Sequence, residues 1–315
     1  MQKTQTKYLP VIAFFAIITM FIVTITMSQS AHAAQPTVNL RTASPFAILS
    51  GTPNVTDAGN ASVITGNVGL SPATGAGIGL VCSQVTGTIY SVDATGPLPC
   101  RITNAPLLLI AKNNLTTAYN DAAGRTPLTT LPTELGGTTL VAGVYDSTST
   151  ELGISAGAGA LVLDGQNDPS SVFIFQAPFE GTGLDVGPGS TVTLTNGAQA
   201  CNVFWRVDSA NIDTTANFVG TVLALNSISV ANGATINGRL LARNGNVTLI
   251  NDTITAPICA GNDTEDEGDG AGVVPGLPNT GETSGQSAII TAITATFFVT
   301  AASLLAYAFF KKRSI

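Results

Sequence analysis

Charge is what this 315-residue chain lacks most: only 10% of its residues are Asp, Glu, Lys or Arg, and 12 basic side chains face 19 acidic ones. A nucleic-acid partner needs phosphates neutralised by clustered Lys and Arg, and that balance excludes it. There is one histidine, His32, in a segment that export would remove. The mature protein therefore has no His acid-base chemistry, no Ser-His-Asp or Cys-His nucleophile and no His-bound zinc. Aromatics are few, at 6%, with a single Trp. What the chain has instead is 33 Gly, 16 Pro and 44% hydrophobic residues, which describes neither a disordered chain nor an ordinary helical enzyme. At this length the expected organisation is one β-rich domain of roughly 200 to 250 residues plus tails.

The mean hydropathy of +0.36 comes from two apolar blocks, one at each end. The first follows Lys3 and Lys7, runs from Leu9 to Ile25 and ends at Ala31-His32-Ala33. A basic start, an apolar run and an A-x-A site describe a signal peptide over residues 1–33, cut before Ala34; an uncleaved anchor would not need the small-residue site. The second block, Ala288 to Phe310, is 23 residues without a charge, enough for a transmembrane helix across a bilayer core of about 30 Å. Lys311, Lys312 and Arg313 follow it, which keeps the tail cytoplasmic and the body of the chain outside. Just upstream stands Leu277-Pro278-Asn279-Thr280-Gly281. Pentapeptide, span and basic tail, in that order over 277–315, resemble the cell-wall sorting signal of Gram-positive surface proteins. The resemblance implies that a sortase cuts between Thr280 and Gly281 and joins Thr280 to peptidoglycan, the helix holding the chain in the membrane until then. A GPI signal normally ends in its hydrophobic tail, without three basic residues.

Between the two cuts lie seven basic and 18 acidic residues. Five of the acids, Asp263, Glu265, Asp266, Glu267 and Asp269, crowd into the Gly-rich stretch 261–276. That stretch cannot bury a core and reads as an extended, self-repelling spacer. A calcium loop would need EF-hand ligand spacing, which is missing, and no cofactor motif is present. Cys82, Cys100, Cys201 and Cys259 are even in number, in an exported chain and without C-x-x-C spacing, so disulfides are favoured over a metal or a nucleophile. Of the three connectivities, Cys82 with Cys100 and Cys201 with Cys259 is the most economical, and spacing alone leaves the other two open.

One segment has helical rhythm. Leu108, Ala111, Leu115, Ala118 and Ala122 recur at three- and four-residue intervals after Asn104 and Pro106, and Gly124 and Pro127 stop it, predicting a helix over about 105–123. Elsewhere short runs of Val, Ile, Leu, Phe and Thr alternate with Gly, Asn, Ser and Pro, as strands broken by turns do. These strands repeat. With an offset of 18, Phe218–Ser227 overlies Ile236–Gly245, matching Gly220 to Gly238, Ala224 to Ala242 and Asn226 to Asn244; one inserted residue then brings Ile228–Val230 over Val247–Leu249. Val203–Val207 and Val172–Phe175 read as earlier turns. A period of about 18 to 20 residues with small residues at fixed corners predicts a β-solenoid over 34–260, its helix lying alongside to cover apolar surface.

Ser44–Gly51, Ile64–Pro72, Leu115–Pro127, Leu135–Gly137, Gly143–Tyr145, Asn196–Trp205 and Gly238–Gly245 together resemble the widespread microbial ice-binding protein family. The resemblance covers nearly all of 38–258. It implies a mainly β, discontinuous right-handed β-solenoid, triangular in section, with one long α-helix packed alongside, and an ice crystal surface as partner. It further implies adsorption through a flat, uncharged face, on which each Thr offers a methyl and a hydroxyl group held rigid. Some members carry T-A/G-x-T/N at the loop edge of that face. The corresponding places here read Thr214-Thr215-Ala216-Asn217 and Asn232-Gly233-Ala234-Thr235, each one residue from the pattern, and Asn251-Asp252-Thr253-Ile254, which departs further and adds a charge. The candidate ice contacts are Thr214, Thr215, Asn217, Asn232, Thr235 and Thr253.

Two other functions compete. A surface adhesin using the same solenoid to bind glycans or other cells predicts a grooved or charged face with Trp205, Tyr145 or Phe179 exposed, although Trp205 inside an apolar strand suits a core. An enzyme acting on acidic polysaccharides would need a carboxylate cluster, and Asp208 and Asp213 near Arg206 are the only local one; such clusters usually form solvated rims. The expectation is a protein that is not an enzyme.

Overall fold

The computed structural model describes residues 35–126, 128–147, 149–177 and 183–259. The expected signal peptide over 1–33, Phe179, the expected spacer over 261–276, Leu277–Gly281 and the apolar run 288–310 lie outside the described residues. Three parallel sheets wrap a common core, so each turn of the chain presents one strand to each of three faces. The helix face runs, in spatial order, through strands 101–103, 89–91, 67–70, 46–50, 239–242, 221–224, 203–207, 173–177, 143–147 and 128–131. The second face runs through 152–154, 184–186, 210–212, 228–230, 247–249, 55–57 and 78–79. The third begins with 139–141, 161–164 and 192–195 and continues, through a bridge between Thr191 and Asn217, into 217–219, 235–237, 253–255, 63–65 and 85–86. Strands Asn217–Ala224 and Thr235–Ala242 are long because each turns a corner between the third face and the helix face.

Two stacked glycines make that corner possible. Gly220 has φ +114°, open to glycine and strained for other residues, and a Cβ on Gly238 would collide with the Gly220 carbonyl. Their register, like that of Ala224 with Ala242 and Ile228 with Val247, agrees with the offset read from the sequence.

The stack is discontinuous in the chain. Strand Phe46–Ser50 pairs with Thr235–Ala242 on one side and Asn67–Leu70 on the other, so the N-terminal strands begin in mid-stack. They wind outward to Arg101–Thr103, and the helix Ala105–Ala123 (α1) runs back along the outside. From Leu128 the chain winds inward again to Thr255. One coil is a hybrid, with its third-face strand Thr253–Thr255 from the C-terminal part and Phe46–Ser50 and Val55–Asp57 from the N-terminal part. Ten helix-face strands at about 4.8 Å spacing set its two ends roughly 43 Å apart. The 19-residue α1 covers about 28 Å of that return.

Helix α1 has the predicted bounds and caps: Asn104 Oδ1 accepts from the Leu107 amide at 3.1 Å, and Gly124 caps the other end. Its Leu108, Ala111, Leu115, Ala118, Tyr119 and Ala122 are buried against Phe46, Leu49, Ile174, Phe204, Leu223 and Leu241 of the helix face. Inside the three sheets, Tyr145, Phe175, Trp205 and Phe218 stack coil on coil, Phe175 and Trp205 with centroids 4.0 Å apart. Trp205 Nε1 donates to the Val219 carbonyl at 3.0 Å, so the one Trp is a satisfied core residue. The disulfides are Cys82–Cys100 and Cys201–Cys259, the economical pairing.

Candidate functional site

The third face carries the most regular exposed surface of the described residues. On its strands Phe218, Ile236, Ile254 and Ile64 point into the core, so the residues before and after each point outward. Register then aligns two columns. Asn217, Thr235, Thr253 and Val63 form one, and Val219, Asn237, Thr255, Thr65 and Thr86 form the other. Columns advance by about 4.8 Å per coil, and neighbours along a strand lie about 6.7 Å apart. None of these nine residues is charged. Further along the face, Thr139, Val162 and Thr193 extend the second column, and the first outward charge is Asp164, three coils from Asn237.

The six sequence-predicted contacts divide accordingly. Asn217, Thr235 and Thr253 stand in one column. Thr215 and Asn232 are exposed on the corner between the second and third faces, where Asn251 Nδ2 donates to Asn232 Oδ1 at 2.8 Å. Thr214 is half-buried, its amide taken by Asp213 Oδ1 and its carbonyl by the Gly189 amide. The third tetrad is corrected: the pairing of Thr253 with Thr235 makes it Ile250 to Thr253 rather than Asn251 to Ile254. The residue inserted before Val247 is lost again at this corner, so the offset returns to 18. Sequence reading missed Val63, Thr65, Thr86, Val219, Asn237 and Thr255. A signal existed, since Val63-Ile64-Thr65 repeats the pattern of Thr253-Ile254-Thr255 from nearly 200 residues away.

Beneath the corner two carboxylates fix the hybrid coil. Asp57 Oδ2 accepts from the Ser62 amide at 2.9 Å and from Gln84 Nε2 at 2.6 Å, while Oδ1 accepts from the Asn251 and Gly59 amides. Burial pushes this carboxyl up, but those donors outweigh it and leave it below the ordinary Asp value. Asp252, fully buried, accepts from the Ala234 and Ile250 amides at 2.9 and 2.8 Å, and burial, with the nearby Asp57 charge as a lesser cause, pushes its pKa up to about 6. The Asp252 carboxyl that the sequence places in this tetrad therefore points inward, away from the third face.

Other surfaces are less regular. The second face shows one outward column, Gly153, Asp185, Asn211, Ser229, Thr248, Thr56 and Gly79, broken by a charge and by bare glycines. Asp208 and Asp213 lie at opposite ends of strand Ala210–Ile212, roughly 15 Å apart along the chain, and so form no cluster. Arg206 is turned instead onto the Tyr119 ring of α1, 4.5 Å from its centroid. Among the described residues no group of three His, Cys, Asp or Glu side chains is placed to hold a metal. Tyr145 and Trp205, which an adhesin would expose, are 5% and 0% exposed.

Comparison with known proteins points one way. Residues 48–255 match the family model described as Ice-binding-like. An ice-binding protein of Colwellia sp. is 45% identical over 224 residues, covering 70% of this chain and 84% of that protein. One from Flavobacterium frigoris (strain PS1) is 42% identical over 224 residues, covering 70% and 76%. Among solved structures, an ice-binding protein from an Antarctic biological consortium superposes with a TM-score of 0.60 at 39% identity, covering 71% of this chain and 92% of that one.

Proposed function

Because the chain belongs to the Ice-binding-like family, we propose that it is a wall-anchored surface protein that adsorbs to ice through its third face. The observation that carries this reading is the uncharged double column from Asn217 to Thr86, up to five coils long, on a face whose strands pair in parallel without a break. Adsorption to a crystal needs many weak contacts presented at once without ordering costs. Thr and Val supply that, because their branched side chains are stiff and their backbones are locked in the ladder. No catalytic group is required. The adhesin reading is weakened by the burial of Trp205 and Tyr145, two of the three aromatics it would expose.

Anchoring is supported by the export signal over 1–33 and the three-part signal over 277–315, with Thr280 as the residue joined to peptidoglycan by sortase. The spacer would hold the ice-facing domain off the wall.

The test of the face is a fluorescently labelled domain frozen into a single ice crystal, with Thr235→Lys/Thr253→Lys alongside. Wild type should coat the crystal and the folded double variant should not. An equally bright variant would move the contact to another face. For the anchor, wall and membrane fractions of an expressing Gram-positive cell are compared. Thr280→Ala should leave the protein in the membrane fraction, and its continued appearance in the wall fraction would refute the sorting assignment.

A further inference from the structure

The chain leaves the solenoid from the middle of the stack. After Thr255 the next helix-face position is already filled by Phe46–Ser50, so the coil cannot continue. The chain turns outward instead. The Ala256 amide still donates to the Thr65 carbonyl, Arg239 holds the Pro257 carbonyl, Ile258 is 90% exposed, and Cys259 is bonded to Cys201. Cys201 lies in the short turn Ala200–Asn202, directly before strand Val203–Val207, and that turn packs against strands Asn217–Ala224 and Thr235–Ala242. The two places differ in how firmly they are held. Thr253–Thr255 is three residues long with one buried side chain, whereas Val203–Val207, which follows the turn directly, carries Trp205 buried inside the coils and Phe204 buried under α1.

We propose that Cys201–Cys259 is a tension-bearing clasp, which carries force from the wall tether into the turn Ala200–Asn202, packed beside the long strands Asn217–Ala224 and Thr235–Ala242, and spares the ice-facing strand Thr253–Thr255. The proposal rests on the wall-anchored reading for the source of that tension. The bond separates residues 58 apart in sequence, and the loop it closes contains Thr214, Thr215, Asn217, Asn232, Thr235 and Thr253. A pull on residue 259 therefore crosses to Cys201 through sulfur, and the backbone bearing these residues lies outside the main covalent path. Without the bond the same pull meets the Arg239–Pro257 hydrogen bond first and the Thr253–Thr255 ladder next, loaded from one end so that its hydrogen bonds break in succession. Thr255 and Thr253 would be the first of the columns to leave the face.

Force spectroscopy tests this on the chain from Ala34 to Thr280, held by handles at its two ends and compared with Cys201→Ser/Cys259→Ser. With the bond intact, full extension should fall short by the enclosed loop, roughly 200 Å at about 3.5 Å per residue, and no C-terminal event should precede the main unfolding. The variant should show an additional early, low-force event releasing only the last few residues of the domain, and should still coat ice at zero force. Should the variant fail to fold, reduction of the folded wild type under low tension gives the same comparison. Cys82→Ser/Cys100→Ser, which opens the other disulfide, should behave like wild type at the C-terminal end. Equal opening forces without an early event in the variant, or an early event with the bond intact, would overturn the clasp. The handles replace both wall and ice, so that outcome leaves the anchoring untouched, while a failed sorting test leaves the mechanical result standing.

Discussion

Arg239 donates from Nη2 to the Pro257 carbonyl at 3.0 Å while its Nε donates to the Ser44 carbonyl at 2.7 Å. One guanidinium thus ties the segment entering strand Phe46–Ser50 to the segment leaving strand Thr253–Thr255, at the hybrid coil where the two ends of the fold meet. The side chain is 8% exposed, and burial lowers its pKa to about 10, so it remains a cation at neutral pH. Arg239→Met keeps most of the stem volume and leaves two carbonyls without donors. We expect a loss of about 2 to 4 kcal/mol, which is a fall in melting temperature of roughly 5 to 15 °C. A variant melting with wild type would show that strand pairing alone closes the seam.

Asp252 gives the domain a pH dependence opposite to the usual acid effect. Its carboxyl is raised from 3.8 to about 6 by burial, so the folded state holds a proton that the unfolded chain has released, and stability falls as pH rises from about 4 to about 6.5. Asp57, held low, acts in the other direction below about pH 4. Between pH 4.5 and 7 the melting temperature should fall by several degrees in wild type and stay nearly flat in Asp252→Asn, which removes the titrating group while giving up one of the two accepted amide hydrogen bonds. The prediction fails if Asp252→Asn keeps the wild-type fall in melting temperature over this range.

Thr215 sits at φ +56°, a region that a β-branched residue occupies only under strain. At the matching corners of neighbouring coils the chain has Gly189, Gly233 and Asn251, at φ +66°, +79° and +56°. Asn tolerates this conformation, so Thr215→Asn should stabilise by about 1 kcal/mol and raise the melting temperature by about 2 to 4 °C. A lower melting temperature would mean that the hydrogen bond from Thr215 Oγ1 to the Thr214 carbonyl outweighs the strain.

What the sequence disclosed and what it hid divide along local and distant causes. Helix α1 was legible to the residue because its stripe, its Asn104 cap and its Gly124 stop are all written within 21 residues. The coil repeat was legible because Gly220 and Gly238 must both be small where one corner stacks on the next. The seam was hidden. Ile48 pairs with Leu240 and Ile64 with Ile254 across about 190 residues, and strands of three to five residues carry no register signal of their own. The third face suffered most from this, since Val63 of its first column and Thr65 and Thr86 of its second come from strands whose neighbours could not be read.

Both the third and the second face join N-terminal strands to C-terminal ones, and what separates them is the charge of Asp185 and the bare glycines on the second. Thr65 lies on the N-terminal side of the seam, next in register to Thr255, while Ser229 is equally outward on the second face, in a different sheet. Both are exposed residues in short strands, so a lysine at either should change stability by less than about 1 kcal/mol. On the third face it places a hydrated ammonium group in the middle of an uncharged array and should hold the neighbouring Thr and Asn away from a flat crystal. Thr65→Lys should reduce thermal hysteresis and recrystallisation inhibition at least tenfold, and Ser229→Lys should leave both near wild type. If the two variants exchange these outcomes, the second face meets ice despite Asp185. If both keep full activity, the contact is confined to the C-terminal coils, and the columns formed by Val63, Thr65 and Thr86 serve only to extend the sheet.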